Sequence, residues 1–133
     1  MYKGSCLCGS VQYEINGDIG DGYYCHCQRC RKASGTAFAS NALIRFTDFK
    51  LIQGHAHFKT YHNEETGVER YFCSHCGSPI LSKRLTTEGT AIRLGSLDTD
   101  LLKGPKAHIF VASKATWHEI RDELPCFQER PQG

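Results

Sequence analysis

No apolar run in this 133-residue chain approaches the roughly 20 residues that a membrane-spanning helix needs, and no basic amphipathic stretch suits a lipid surface. No membrane partner is expected. Neither sign of charge is in excess: 16 Lys and Arg stand against 14 Asp and Glu, a net charge of +2. The basic surplus that draws nucleic acid is therefore missing. No secretory leader precedes the first cysteine, at position 6, so a cytoplasmic location is expected. Internal repeats, low-complexity tracts and linkers are also lacking. That leaves one domain over residues 1–133, with a polar tail from about residue 129, Arg130-Pro131-Gln132-Gly133. A chain of this length buries roughly two thirds of its unfolded surface, and a bound metal would add to its core.

Cysteine is abundant. Of eight, seven fall into three groups: Cys6 and Cys8; Cys25, Cys27 and Cys30; Cys73 and Cys76. Four thiolates close a tetrahedral zinc site, whereas three leave one coordination position open, so seven reads as four plus three and implies two zinc ions. Cys25, Cys27 and Cys30 are close enough in sequence for all three sulfurs to reach one ion at about 2.3 Å. The outer two groups each supply half a site and are useful only when the fold joins them. Gly9 and Gly77 follow the last cysteine of each half, as suits a knuckle whose backbone needs positive φ. A disulfide framework is disfavoured, because Cys-x-Cys pairs bridge poorly and intracellular thiols stay reduced. A second alternative stays open, in which Cys126 completes the three-cysteine site and both metals are structural.

Apolar residues alternate in Ser10–Ile15, Ala42–Phe46 and Ala91–Gly95, which predicts strands. Turn signals recur at Asn16-Gly17-Asp18, Asp21-Gly22, Gln53-Gly54, Thr66-Gly67, Glu88-Gly89 and Gly104-Pro105. A mainly β domain follows, with one or two short helices. The best helical segment is Gln28 to Ala33, which places Arg31 and Lys32 in its last turn and stops at Ser34-Gly35.

Three motifs together resemble the glutathione-dependent formaldehyde-activating enzyme family, whose domain is shared with centromere protein V. They are Gly4-Ser5-Cys6-Leu7-Cys8-Gly9, Cys25-His26-Cys27-Gln28-Arg29-Cys30-Arg31-Lys32-Ala33-Ser34-Gly35, and Phe72-Cys73-Ser74-His75-Cys76-Gly77. The resemblance continues through Gly95-Ser96-Leu97-Asp98, His108-Ile109-Phe110-Val111, Trp117 and Leu124-Pro125. It implies an Mss4-like fold of antiparallel sheets, a structural zinc on Cys6, Cys8, Cys73 and Cys76, and a catalytic zinc on Cys25, Cys27 and Cys30. The family pattern does not call for cysteine at position 126, which makes Cys126 a small, partly buried apolar residue.

Three thiolates overcompensate a zinc charge and weaken it as a Lewis acid, so hydrolysis is not the natural chemistry of such a site. A soft thiol is a good fourth ligand, held deprotonated and oriented near neutral pH. With the resemblance, this suggests a carbon–sulfur lyase that takes glutathione or another small thiol and reversibly forms S-hydroxymethylglutathione from formaldehyde. Arg29, Arg31 and Lys32 either offset the thiolate charge and meet the carboxylates of glutathione, or form a solvated helix face. His26 is a proton carrier if it reaches the site; an extended Cys25–Cys27 turns it away, which is the favoured reading. His75 is expected to be exposed, His108 to be a hydrogen-bonded strand residue, Asp98 to cap a turn and Trp117 to pack on the core. No general acid or base is assigned. Two rival classes remain: a non-catalytic zinc module, which would enlist Cys126 as a ligand, and a thiol redox enzyme, which would use Cys126 as its nucleophile.

Overall fold

A computed structural model describes residues 1–85 and 89–131. The Glu88 half of the Glu88-Gly89 signal, and Gln132 and Gly133 of the tail, lie outside the described residues. The described chain is mainly β: β1 Tyr2–Ser5, β2 Gln12–Ile15, β3 Gly22–Cys25, helix α1 Gln28–Ser34, β4 Ala39–Ile44, β5 Phe49–Gln53, β6 Phe58–Asn63, β7 Val68–Cys73, β8 Pro79–Arg84, β9 Thr90–Arg93 and β10 Ala107–Ile109. Among the described residues no helix is long and apolar enough to cross a membrane.

These elements gather into two compact units, one of Met1–Gly20 with Ala42–Leu102, the other of Asp21–Asn41 with Lys103–Gly133. In the first, β1, β2 and β5 form an antiparallel sheet, with Tyr2 opposite Ile15 and Ile15 opposite Phe49. Strands β6 to β9 form an antiparallel meander, with Phe58 opposite Cys73, Val68 opposite Arg84 and Leu81 opposite Ile92. The alternation legible in the sequence becomes the core: Val11, Tyr13 and Ile15 are buried with Ala42, Ile44, Ile80, Leu81 and Ile92, around Cys6 and Cys73. Tyr13, Phe49, Phe58 and Tyr71 stack in series at 5.0, 5.8 and 5.2 Å, the near-parallel packing that aromatic side chains adopt across strands. The Tyr13 hydroxyl, whose pKa burial pushes up to about 12, keeps a 2.6 Å hydrogen bond to Ser96 Oγ.

The strands do not end where the sequence patterns end, for identifiable local reasons. Ser10 and Val11 precede β2 because the Val11 amide donates to Cys6 Sγ at 3.2 Å and its carbonyl accepts from Cys6 N at 3.0 Å. Phe46 leaves β4 for a 3₁₀ turn, Phe46–Asp48, closed by the Arg45–Asp48 ion pair. Leu94–Ser96 makes another such turn, with the Ser96 hydroxyl donating to the Arg93 carbonyl at 2.8 Å.

In the second unit β10 pairs with β3 in parallel, Ala107 opposite Tyr23 and Ile109 opposite Cys25, a pairing that the expected antiparallel sheets did not include. Asp21-Gly22 and Gly104-Pro105 do not turn. Gly22 opens β3 and its carbonyl accepts from Lys106 N at 2.9 Å, while Lys106 Nζ reaches Asp21 Oδ2 at 2.8 Å, so both segments run straight into the pairing. The C-terminal stretch lies along β10 in turn: His108 N donates to Pro125 O, Phe127 N to His108 O and Phe110 N to Glu129 O, each at 2.9 Å.

Candidate metal centres and active site

The first unit brings Cys6, Cys8, Cys73 and Cys76 together, all four Sγ atoms within 4.8 Å of one another. Cys6 Sγ lies 3.6 Å from Cys8 Sγ, and Cys8 Sγ lies 3.9 Å from Cys73 Sγ. Those separations match the edge of about 3.8 Å that a tetrahedron of four ~2.3 Å zinc–sulfur bonds requires. They are too long for disulfides, and the cysteines are free thiols. The two halves are built alike. Gly9 and Gly77 have φ of 81° and 82°, and their amides donate to the carbonyls of Cys6 and Cys73 at 3.0 and 2.7 Å. Each turn thereby carries two sulfurs to one side, as the paired spacing predicts. Burial pushes the Cys73 thiol up to about 11, whereas the Ser78 hydroxyl beside Cys76 draws that thiol down to about 5 and Ser10 lowers Cys8. A set that mixes buried and hydrogen-bonded sulfurs in this way suits a soft divalent cation.

The second unit brings together Cys25, Cys27 and Cys30, again with every Sγ within 4.8 Å of the others. Cys25 ends β3. Cys27 is the N-cap of α1, its sulfur accepting from the Cys30 amide at 3.3 Å, and Cys30 lies buried in the first turn. One short helix start thus places two sulfurs beside the third. The helix covers Gln28–Ser34, one residue beyond the predicted segment, and ends at Gly35 in the left-handed conformation with Arg31 and Lys32 in its last turn. The sulfurs of Cys27 and Cys30, and then burial, hold the Cys25 thiol far above its ordinary range, so three thiolates crowd together here only if a cation offsets them. Both sulfur sets therefore fit a metal ion in number and spacing, and three ligands leave one position open.

Arg29 and Lys32 project into solvent, while Arg31 is half-buried with its Nε buried and lacking a hydrogen-bond partner. Cys126 is exposed rather than partly buried and stands outside both sulfur groups, because its bridge to His108 along the C-terminal stretch turns it outward. Trp117 is 71% exposed and packs on no core, since it sits in a turn after the 3₁₀ segment Val111–Ser113. His75 is exposed, as expected. Asp98 accepts from Ser5 Oγ at 2.6 Å and its amide donates to Lys3 O, which ties its loop to β1 rather than capping a turn.

The histidines' arrangement has no signature in the residue spacing. His26 is fully buried, its Nε2 2.7 Å from His108 Nδ1, and His108 Nε2 lies 2.9 and 3.1 Å from the two carboxylate oxygens of Asp122. His108 is the hydrogen-bonded strand residue its pattern predicted, but its partners are 82 and 14 residues away in the chain. Burial first, then the charges of His108, His118, Lys114 and Arg31, hold His26 down at about 4, so it is neutral at physiological pH. The hydrogen bond from His108 holds the Asp122 carboxyl below its ordinary range.

A crystal structure of a Rhodobacter sphaeroides protein, 24% identical in sequence, superposes with a TM-score of 0.63 over 75% of this chain and 91% of that one, which shows a shared fold. The model of the family described as "Glutathione-dependent formaldehyde-activating enzyme" matches residues 1–113, a span that holds all seven clustered cysteines together with His26 and His108. The chain belongs to the glutathione-dependent formaldehyde-activating enzyme family.

Proposed function

We propose that the protein is a zinc-dependent carbon–sulfur lyase that reversibly joins a small thiol, such as glutathione, to formaldehyde. The observation that carries this reading is the three-sulfur group of Cys25, Cys27 and Cys30, which the fold leaves without a fourth cysteine among the described residues. Zinc bound there would supply an open coordination position that accepts a soft thiol as its thiolate. In the forward direction the thiolate sulfur forms a bond to the carbonyl carbon of formaldehyde, the C=O π electrons move to oxygen, and that oxygen takes up the proton the thiol released. The product is the hydroxymethyl thioether, and the reverse step breaks the same C–S bond.

The chain's own residues have separable tasks in this reading. Cys6, Cys8, Cys73 and Cys76 hold a structural zinc that stabilises the first unit, and Cys25, Cys27 and Cys30 hold the reactive one. Arg31, with a buried and unpartnered Nε, and the exposed Arg29 and Lys32 meet the carboxylates of glutathione. The two rival classes both needed Cys126, as a fourth ligand or as a nucleophile; its position outside the sulfur groups and on the surface favours neither.

The direct test replaces the reactive zinc with cobalt and titrates glutathione, with and without formaldehyde. A thiol that enters the coordination sphere raises the thiolate-to-cobalt charge-transfer absorption, and formaldehyde should then be consumed as S-hydroxymethylglutathione at a rate that needs the protein. A cobalt spectrum indifferent to glutathione and to other small thiols would remove the reading.

A further inference from the structure

Strand β6 is the terminal strand of its sheet, and its backbone is open on the side away from β7. Its sequence, Phe58-Lys59-Thr60-Tyr61-His62-Asn63, has neither proline nor glycine, pairs with β7 without a register shift, and leaves Lys59, Thr60, Tyr61 and His62 exposed. Natural sheet edges are commonly blunted by a proline, a bulge or a central charge. The middle of β6 has none of these.

The alternation of an antiparallel ladder fixes which groups face outward. Ser74 N donates to His57 O at 2.8 Å and Gly67 N to Asn63 O at 2.9 Å, so the odd-numbered residues of β6 turn their amides and carbonyls toward β7. The even-numbered ones turn theirs away. Phe58 N is taken by Gly54 O at 3.0 Å, so the outward donors and acceptors at the centre of the edge are the amides and carbonyls of Thr60 and His62. Tyr61 stands between them, 59% exposed, on the face opposite the one where Phe58 and Tyr71 pack on the core.

Charge along the edge is asymmetric. Lys59 lies near its start, whereas Glu64 and Glu65 follow its end, all three exposed. The Glu65 and Thr66 amides donate to Asn63 Oδ1 at 3.0 and 3.3 Å, which fixes the acids in a turn beside the last residue of the strand. The edge is therefore complementary to itself when reversed. An antiparallel copy with a two-fold axis at Tyr61 sets Thr60 of one chain against His62 of the other, where each pair exchanges both N–H···O bonds. The two Tyr61 side chains then lie directly opposite, and Lys59 of each copy comes beside Glu64 and Glu65 of the other. In-register parallel addition would instead set lysine beside lysine and acid beside acid.

We propose that β6 is the contact through which two copies of this chain associate, antiparallel about Tyr61, with Lys59 against Glu64 and Glu65 at both ends of the seam. Six residues a side make a small interface, so the association is of the reversible, concentration-dependent class. The strand holds no residue of either sulfur group, and metal content serves as the control for every variant.

Sedimentation velocity of the zinc-loaded protein over a concentration series, with a non-thiol reductant, tests this. The 14.9 kDa chain should approach twice its mass as concentration rises, and hydrogen exchange at the Thr60 and His62 amides should slow in step. Lys59→Glu alone, or Glu64→Lys with Glu65→Lys, should raise the dissociation constant at least about tenfold at low salt, because like charges then meet at both ends. An equal mixture of these two variants should regain wild-type association, since each altered end faces the opposite charge on the other chain. Tyr61→Lys places two ammonium groups at the axis and should weaken association by a similar factor. A wild type that keeps the mass of one chain at every concentration overturns the proposal, as does a doubled mass that Tyr61→Lys leaves intact. Charge variants that associate like the wild type, or that separate and do not recover on mixing, overturn the antiparallel register and the proposal with it.

Discussion

At the scale of single residues, conformation and protonation dominate. Gly77 has φ of 82°, and a Cβ there would meet no atom within 4 Å, so its cost is conformational alone. Gly77→Ala should therefore lower stability by about 1–2 kcal/mol, the penalty of a left-handed L-residue, without excluding zinc; urea unfolding beside metal analysis would show it. Asp122 titrates below its ordinary range because His108 donates to it. With the folded value depressed, its contribution to stability is complete above the unfolded carboxylate range and is lost as pH falls through the folded value. Carbon NMR of its carboxyl group should give a midpoint below that of a free aspartate side chain, and His108→Gln should raise it. An unshifted midpoint would argue against the hydrogen bond.

At the scale of elements, α1 is the informative one. A seven-residue helix has little intrinsic stability, and here its N-cap acceptor is the sulfur of Cys27. Two functions meet in one atom, and substitutions can part them. Cys27→Ser keeps a good capping oxygen but removes the thiolate, so the thermal unfolding midpoint should stay close to wild type while cobalt and glutathione binding fail. Cys27→Ala loses the cap as well and should cost roughly a further 1 kcal/mol. Equal destabilisation by both would show that metal binding, not capping, holds the helix start. Strand β10 shows the complementary case: its three residues are fixed less by their own propensity than by β3 on one side and the stretch to Glu129 on the other.

At the scale of the whole molecule, the two sulfur sets fall in different compact units. A structural zinc contributes about 10–16 kcal/mol in small zinc domains. That is as large as the whole stability of an ordinary domain, about 5–15 kcal/mol. Removal of the four-cysteine metal should therefore unfold the first unit, and Cys6→Ala or Cys73→Ala should abolish its cooperative transition. Metal analysis of protein purified without chelator should give close to two zinc ions per chain. A mild chelator should take the three-cysteine ion first, with circular dichroism nearly unchanged, and the second only as the β signal collapses. Simultaneous loss of both would contradict the division of roles.

The sequence by itself determined the partition of seven cysteines into four and three, the two glycine knuckles, the β class and the helix after Cys27. Each follows from spacings of a few residues, where local geometry decides what can reach one point. Its strand ends were read too long where a sulfur or a serine captured the backbone, as at Val11 and Ser96. Only the tertiary structure decided the parallel β3–β10 pair, the outward turn of Cys126 and the line from Asp122 through His108 to His26. Those depend on segments that fold back from some 80 residues away. A histidine carries no periodic signature of its distant partner, so burial and the hydrogen bonds it demands become visible only when the sheet has closed.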